Sequence, residues 1–205
     1  MAKSGRGPKA RAKRPRPGRF RIIGGTWRSR RLPLPGIDEV RPTPDRVRET
    51  VFNWLAPVIE GARCLDLYAG SGALGLEALS RGAAAVTFVD SSPLVVRQLK
   101  ENLALLGCGQ GEVVCMDVTG FLEGPVSRFD VVFLDPPYGR GWLAPMVARL
   151  VERGWLAPGA ALYLEHEADA GPPPLPEGWR YARDAAAGRV RYHLVRHEAT
   201  SVEQR

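Results

Sequence analysis

Residues 62–82, ARCLDLYAGSGALGLEALSRG, determine the fold class of this chain. The first seven residues form an apolar, strand-like run, the next seven a glycine-rich turn, and the rest a short helix that ends at Gly82. Gly70, Gly72 and Gly75 have the G-x-G-x-x-G spacing, in the strand–turn–helix context that this motif requires. The stretch therefore predicts an α/β fold in which the turn after a parallel strand binds a nucleotide-like cofactor.

Asp66 distinguishes this turn from a dinucleotide site. It lies near the end of the strand, where a carboxylate can face a cationic amino group. Nicotinamide cofactors have no amino group at their phosphate turn, whereas S-adenosylmethionine carries an α-ammonium group. A P-loop lysine is also missing after the glycines. We therefore predict an S-adenosylmethionine site, and the residues that we expect to bind it from this stretch are Asp66, Tyr68, Gly70, Ser71 and Gly72.

Two further carboxylates follow predicted strands. Asp90 ends the run 84–90, where it can accept from the ribose hydroxyls of an adenosine. Asp117 follows the run 112–116, where it can accept from the adenine N6 amino group. Each of these acids could instead be a turn or capping residue. Three carboxylates that end three successive strands, each in a βα unit, favour cofactor binding.

A second informative stretch is residues 131–138, VVFLDPPY. Its first half predicts a strand buried on both faces, and the two prolines make a stiff rim at the carboxyl end of that strand. An exocyclic amine on a nucleobase is a poor nucleophile, because its lone pair is delocalised into the ring. The Asp135 carboxylate and the Pro136 carbonyl could accept its hydrogens and free the lone pair, while Tyr138 stacks on the base. The alternative interpretation is a strand that simply ends at a proline-rich turn.

The charge of the chain is unevenly distributed. The 205 residues carry a formal net charge of +7, but residues 1–31 contain twelve Lys or Arg and no acid, which leaves 17 basic and 22 acidic residues in the remainder. Residues 1–19 contain almost no apolar anchor, so we predict a disordered basic tail that holds polyanions. A merely solubilising tail is the alternative.

Residues 20–40 predict an N-terminal β-hairpin, with Gly24-Gly25 at a turn or bulge. Trp27 lies among Arg28, Arg30 and Arg31, and such a mixture can stack on bases while the guanidinium groups bind phosphates. We predict that these four residues contact nucleic acid. A hairpin that packs on the domain is the alternative, and the two interpretations are compatible.

Residues 41–55 predict a loop that enters a helix, with Thr43 as N-cap and Pro44 as the first helical residue. Arg46 and Arg48 lie in the first turns of this helix, where a cation gains nothing from the helix dipole. We therefore expect a ligand anion near these arginines.

The cysteines and the apolar runs suggest a cytoplasmic protein. Cys64, Cys108 and Cys115 lack metal-ligand spacing, and we expect Cys64 and Cys115 to be buried free thiols, which fits a reducing compartment. The sequence has no apolar run long enough to span a membrane and no signal-peptide core. The three histidines form no constellation, so we expect no metal. A monomer is expected, because nothing in the sequence demands a dimer.

Residues 21–196 resemble the RsmD-type family of small-subunit ribosomal RNA guanine-N2 methyltransferases. The motifs that carry the resemblance are RIIGG at 21–25, RPTPDRVRE at 41–49, LDLYAGSG at 65–72 with LGLE at 74–77, and DPPY at 135–138. The glycine-rich and DPPY motifs are shared by many amino-methyltransferases. The RIIGG and RPTPDRVRE motifs are more particular, and they identify the family.

The resemblance implies a Rossmann-like class I methyltransferase fold over residues 41–200, with a mixed seven-stranded sheet and helices on both faces. It implies S-adenosylmethionine as donor, and as substrate the N2 amine of a loop guanine near the P site of 16S rRNA, in a small ribosomal subunit that is assembled or nearly so. It also implies that Thr43 and Arg46 help to hold the methionine end of the donor.

Three alternatives remain at this stage. The nearest is an adenine-N6 methyltransferase that acts on RNA or DNA, because DPPY suits either amine. A dehydrogenase with a glycine-rich loop is more distant, and Asp66 and the proline rim argue against it. A non-catalytic RNA-binding protein that kept the fold is opposed by the presence of Asp135 and Tyr138.

Overall fold

The structure, a computed structural model, describes residues 18–37, 40–139 and 141–198. The predicted basic tail lies outside these residues apart from Gly18 and Arg19, and Arg140 in the loop after Tyr138 also lies outside them. Arg19 already belongs to the first strand, so the hairpin begins one residue earlier than predicted.

The described residues form nine strands and five α-helices. In chain order these are β1 (Arg19–Arg21), β2 (Arg31–Pro33), α1 (Asp45–Leu55), β3 (Arg63–Leu67), α2 (Ala73–Ser80), β4 (Ala85–Asp90), α3 (Pro93–Leu106), β5 (Gly111–Cys115), α4 (Val118–Glu123), β6 (Phe129–Leu134), α5 (Leu143–Glu152), β7 (Leu156–Glu167), β8 (Trp179–Ala187) and β9 (Val190–His197). A short 3₁₀ helix, Ala168–Ala170, follows β7.

Seven strands form one mixed sheet in the order β5-β4-β3-β6-β7-β9-β8, and β1 pairs with β2 in a separate antiparallel hairpin. The strands from β5 to β7 are parallel, and β9 runs antiparallel to both of its neighbours. The chain moves outward from β3 to β5 and then returns to the other side of β3 with β6. The crevice between β3 and β6 is therefore the topological switch point, where open α/β sheets bind ligands. The predicted mixed sheet and N-terminal hairpin are confirmed.

Each face of the sheet is covered by helices, because alternate residues of the buried strands point to opposite sides. In β6, Val131 and Phe133 pack in one apolar cluster with α1, α2 and α3. Val132 and Leu134 pack in a second cluster with α4 and α5. This arrangement confirms the predicted helices on both faces.

Helix α2 is buried along its whole length, because the hairpin covers the side that the sheet leaves open. Hairpin residues Phe20, Ile22 and Leu32 belong to the same apolar cluster as α2. The backbone N–H of Thr26 donates to the Ser80 carbonyl oxygen at 2.7 Å, and the Ser80 hydroxyl donates to a carbonyl oxygen of the hairpin at 2.6 Å. The hairpin thus packs on the domain, as the second interpretation of this segment predicted.

A buried ionic network joins α1, α2 and the hairpin. The Arg48 side chain is fully buried, and its guanidinium group bonds to Asp45 at 2.6 Å and to the buried Glu77 at 3.3 Å. Burial lowers the pKa of Arg48, and the two carboxylates oppose that shift. The prediction of a ligand anion near Arg48 is therefore wrong, because the counter-ions of Arg48 are carboxylates of the protein.

The start of α1 also differs from the expectation. The helix begins at Asp45 with Pro44 in the N-cap position, and it has no side-chain cap bond. The Thr43 side chain does not cap it, and the Thr43 carbonyl oxygen instead accepts from Arg48 Nε at 3.0 Å. The predicted N-cap role of Thr43 is therefore wrong.

Two further expectations concerned the burial of the cysteines and the lack of a membrane-spanning segment. All three cysteines are free, but only Cys64 is buried, and Cys115 at the end of β5 is exposed, so its predicted burial is wrong. The strand β5 lies at the sheet edge, where its side chains are only partly covered. Within the described residues, every helix is too short or too polar to cross a membrane.

Candidate active site

The candidate site lies along the carboxyl edge of the parallel strands. In the register of β3 and β6, Leu67 is the partner of Leu134, so the turn after β3 and Asp135 after β6 start side by side. Strand β4 lies on the other side of β3 and ends with Asp90 at the same edge. The glycine-rich turn and the DPPY rim thus flank the switch point, on the same edge of the sheet.

The glycine-rich turn has the backbone shape that the sequence predicts. Gly72, the N-cap residue of α2, has a φ of 72°, which a residue with a side chain rarely adopts. Gly75 is required for a different reason, because a Cβ atom there would lie 2.3 Å from the Phe88 ring. The turn can therefore pass close to a ligand while α2 packs tightly on β4.

Asp66 is buried in this turn. Its carboxylate accepts from the Gly75 N–H at 2.9 Å, and only 3% of the residue is exposed. Burial raises the pKa of Asp66 to about 8, the Gly75 N–H opposes the shift, and the Asp90 charge adds to it. Burial disfavours the ionised form of this carboxyl group, and a cation beside it would stabilise that form. The position of Asp66 therefore fits the predicted ammonium partner.

The other acids of the predicted donor site also bind backbone groups. Asp90 accepts from the Gly70 N–H and from the Ser92 N–H, each at 2.9 Å. Asp117 is exposed and caps α4 by accepting from the Gly120 N–H at 2.9 Å. Ionised carboxylates have about four acceptor sites, so these bonds leave capacity for ligand hydroxyl and amino groups. The capping interpretation and the binding interpretation are thus compatible.

Tyr68 extends the turn with a strained backbone. Its φ is 60°, which is uncommon for a residue other than glycine, and such strain often occurs at functional sites. Its ring stacks on Trp142, with centroids 5.7 Å apart and planes inclined by 26°. Partial burial, together with the Asp117 charge, raises the pKa of Tyr68 to about 12. The two rings connect the turn to the start of α5.

Ser71, Thr43 and Arg46 are the remaining residues of the predicted donor site. Ser71 is buried, and its hydroxyl accepts from the Ala73 N–H at 3.3 Å, at the start of α2. Thr43 is buried, and Arg46 is exposed on α1. Thr43 lines a cavity of about 450 Å³ together with Arg31 of the hairpin. The structure thus brings one predicted donor residue close to one predicted nucleic-acid residue.

The DPPY rim, which already contains the Asp135 carboxyl group, meets a further carboxylate, Glu165 of β7. The Tyr138 hydroxyl donates to Glu165 Oε1 at 2.9 Å, and the Tyr163 hydroxyl donates to Oε2 at 2.5 Å. Tyr138 itself is 45% exposed, so its ring remains available at the surface of the site. Burial raises the pKa of both tyrosines, and the Glu165 charge adds to it.

Asp135 is partly exposed as a residue, but protein encloses its carboxyl group. That enclosure raises its pKa well above the usual range, and the charges of Glu165 and then Asp66 raise it further. Asp66, Asp135 and Glu165 thus form a row of interacting carboxyl groups across three neighbouring strands. Such a row favours a cationic ligand in the crevice.

A cavity of about 410 Å³ opens beside this row. Its lining includes Pro136, Tyr138, Trp142, Glu165 and a proline-rich segment, residues 172–174. The volume lies in the range of small-molecule sites, and the mixture of aromatic rings with one buried carboxylate is typical of them. The cavity can accept a planar ring against Pro136 and Tyr138, the rim residues that follow Asp135.

The predicted nucleic-acid residues lie on the hairpin. Arg28, Arg30 and Arg31 are exposed, whereas Trp27 is partly buried against the apolar cluster. Arg30 donates to the Leu105 carbonyl oxygen at 3.3 Å. Arg28, Arg30 and Arg31 thus form an exposed basic surface on the hairpin.

The sheet order, the glycine-rich turn and the DPPY rim at the switch point define a class I methyltransferase. The family model described as conserved hypothetical protein 95 matches residues 20–196. The chain therefore belongs to this family, and the resemblance inferred from the RIIGG, RPTPDRVRE and DPPY motifs is confirmed.

Relatives with assigned names agree with this membership. Ribosomal RNA small subunit methyltransferase D of Escherichia coli K12 is 50% identical over 182 residues, which cover 89% of this chain and 92% of that protein. The protein of the same name from Haemophilus influenzae is 45% identical, with coverages of 86% and 93%. The solved structure of the yhhF protein from Escherichia coli is 50% identical, covers 89% of this chain and 99% of that one, and superposes with a TM-score of 0.83.

More distant structures share the fold alone. TrmN from Thermus thermophilus is 20% identical, with a TM-score of 0.59, and the match covers 75% of this chain and 48% of that one. SMU.776, solved in a complex with SAH, is 15% identical, with a TM-score of 0.56 and coverages of 74% and 48%.

Sequence reasoning missed three residues of the site region. Glu165 ends an apolar run in the same way as Asp66 and Asp90, and this pattern could have identified it. Trp142 and Glu77 had no comparable pattern, because their partners are distant in sequence. Among the described residues, the His, Cys, Asp and Glu side chains form no group of three that could hold a metal ion.

Proposed function

We propose that this chain transfers a methyl group from S-adenosylmethionine to the exocyclic N2 amine of a specific loop guanine near the P site of 16S rRNA. The observation that carries the proposal is the position of Asp135-Pro136-Pro137-Tyr138 at the switch point, beside the glycine-rich turn. Two relatives named ribosomal RNA small subunit methyltransferase D, at 50% and 45% identity over most of the chain, support the substrate class.

The donor site is proposed at the glycine-rich turn, and its chemistry fits S-adenosylmethionine. When bound, that cofactor supplies a methyl group attached to a positively charged sulfur. The buried carboxyl group of Asp66 suits the α-ammonium group of this ligand, because it gains stability as an anion beside a cation. Asp90 and Asp117 accept from the ribose and adenine groups, and Thr43 and Arg46 hold the methionine end. The further donor contacts come from Tyr68, Gly70, Ser71 and Gly72.

The base is proposed to enter the cavity beside the DPPY rim. The Asp135 carboxylate and the Pro136 carbonyl accept the amino hydrogens, which favours a pyramidal nitrogen with a free lone pair. Tyr138 stacks on the ring, as aromatic side chains do with unpaired or flipped bases. The protein thus contributes positioning and electrostatic stabilisation in an enclosed site.

The basic hairpin surface is proposed to bind the rRNA backbone, with Arg28, Arg30 and Arg31 on phosphates and Trp27 against a base. Arg28→Ala should weaken binding to small-subunit rRNA and reduce the slope of log affinity against log salt by about one unit. Glu101→Ala, an exposed change on α3, serves as the control, and an unchanged salt slope for Arg28→Ala would remove this surface from the interface.

The direct test compares modified guanines in 16S rRNA from cells with and without the protein, by mass mapping. Deletion should remove one N2-methylguanine, and the wild-type gene should restore it, whereas Asp135→Ala should not. A map that is identical in the two strains, or a loss of N6-methyladenine instead, contradicts the proposal. We propose further that the enzyme acts in the cytoplasm and as a monomer. Fractionation of cells would test the location, and sedimentation of the purified protein would test the oligomeric state.

A further inference from the structure

Glu165 occupies the position next to Asp135 on the neighbouring strand. Leu134 of β6 is the register partner of Leu164 of β7, so Asp135 and Glu165 each follow one member of that pair. Leu134 and Leu164 pack in the same apolar cluster, and the next residue on each strand points to the opposite face. The two carboxyl groups therefore face the same side of the sheet, and their charges interact.

The surroundings of Glu165 are unusual for a buried carboxylate. The residue is 5% exposed, and its oxygens accept from the hydroxyl groups of Tyr138 and Tyr163. Within the described part of the chain, no Lys, Arg or His pairs with it. A buried charge is normally paired or fully hydrogen-bonded, and two phenol donors leave about two of its acceptor sites open.

The open side of Glu165 faces a ligand cavity. The residue contributes to the lining of the 410 Å³ cavity together with Pro136 and Tyr138. Pro136 and Tyr138 belong to the rim that holds the target amine and the target ring. Because Glu165 accepts from the Tyr138 hydroxyl, it lies at the edge of the Tyr138 ring, and a base stacked on that ring would meet Glu165 with its edge.

We propose that Glu165 accepts the N1–H hydrogen of the target base and thereby selects guanine over adenine. The inference rests on the function proposed above and names a specificity residue of the same site. In guanine, the atom next to the amine-bearing carbon is N1, which carries a hydrogen and donates. In adenine, the corresponding neighbour of the N6 amine is an unprotonated N1, whose lone pair is repelled by a carboxylate. The pair Asp135 and Glu165 thus matches the two adjacent N–H groups of guanine. An Asp-Pro-Pro-Tyr motif without Glu165 would not distinguish guanine from adenine.

The test changes the edge of the target base that Glu165 is proposed to contact. Small subunits are reconstituted with 16S rRNA in which the guanosine identified by mass mapping is replaced by 2-aminopurine. This base keeps the 2-amino group, but it lacks the N1 hydrogen and also O6. The effect of the missing O6 is common to the two enzymes that are compared. Wild-type enzyme should prefer guanosine in kcat/KM, and Glu165→Gln should reduce that preference by roughly ten- to a hundredfold, the range of one specific base contact. The different intrinsic reactivity of the two amines cancels when the two enzymes are compared.

The matched control is Glu167→Gln, the same chemical change two residues further along β7 in the lining of the same cavity. It should keep the wild-type base preference. A urea denaturation curve shows whether the Glu165→Gln protein is folded. If that variant is unfolded, Glu165→Asp takes its place. This change retains the charge, withdraws it by one methylene group, and should also lower the preference for guanosine.

Two results would overturn the inference. One is a wild-type enzyme that methylates both bases equally well. The other is a Glu165→Gln enzyme with lower activity on both bases and an unchanged preference, which would mean that Glu165 only positions Tyr138. A wild-type enzyme that leaves guanosine unmethylated would instead contradict the proposed function itself, so the two failures are distinguishable.

Discussion

Replacement of Glu77 by glutamine should detach the hairpin from α2 at a large cost in stability. The Glu77 side chain is fully buried and accepts from four donors: the N–H groups of Ile23 and Gly24, both at 2.8 Å, and the guanidinium groups of Arg48 and Arg81. Glutamine has nearly the same shape but no charge, and its amide nitrogen cannot accept. Either Ile23 or Gly24 therefore keeps a partly buried N–H without an acceptor.

The magnitude follows from the burial of the partners. A buried N–H group without an acceptor costs about 1–3 kcal/mol. Arg48 is fully buried and would keep only the half-exposed Asp45 as a counter-charge, and the loss of one member of a buried ion pair costs about 3–5 kcal/mol. Because these costs overlap, we expect the free energy of unfolding to fall by about 3–5 kcal/mol. For a chain of this length, the melting temperature should fall by about 6–20 °C.

Urea denaturation, followed by circular dichroism, measures this change. The control is Glu101→Gln, which breaks the exposed pair with Arg97 on α3, where the side chains are 49% and 77% exposed. Such exposed helix pairs contribute about 0.3–0.5 kcal/mol, so the control should lose less than about 1 kcal/mol. The reasoning is refuted if Glu77→Gln unfolds within about 1 kcal/mol of the control.

Three further predictions concern ionisable groups. Asp135→Ala should lower turnover by roughly a hundredfold, the cost of one preorganised polar contact, while donor affinity measured by calorimetry barely changes; near-normal turnover would exclude Asp135 from the mechanism. Because burial raises the pKa of Asp66 to about 8, a cationic donor must displace a proton from it at neutral pH. The affinity of wild-type protein for S-adenosylmethionine, relative to Asp66→Asn, should therefore rise between pH 6 and pH 8, and a constant ratio would argue against a cation at Asp66. Burial and the neighbouring His166 lower the pKa of His193, so its contribution to stability is complete above the unfolded value of about 6.5 and is lost as the pH falls below it. Lowering the pH from 7.5 to 5.5 should therefore destabilise the wild type relative to His193→Gln, because the opposite effect of the raised pKa of Asp66 is common to both proteins. An equal change in the two urea midpoints would contradict the assignment.

The amino-acid sequence by itself determined those features that depend on neighbouring residues. The strand–turn–helix at residues 62–82 follows from apolar periodicity and from the glycine spacing, both of which are local properties. The DPPY rim also follows locally, because two successive prolines restrict the backbone directly after a buried strand. The N-terminal hairpin was also predicted from a local signal, the Gly24-Gly25 turn.

Only the tertiary structure decided which charges meet. Arg48 and Glu77 are 29 residues apart, and the sequence offered no indication that they pair, so a ligand anion was expected where a protein carboxylate lies. Tyr138 and Glu165 are 27 residues apart and meet because β6 and β7 are neighbours in the sheet. The exposure of Cys115 depends on the position of β5 at the sheet edge. Burial, pKa and pairing are properties of the space around a side chain, and that space is built by segments that lie far apart along the chain.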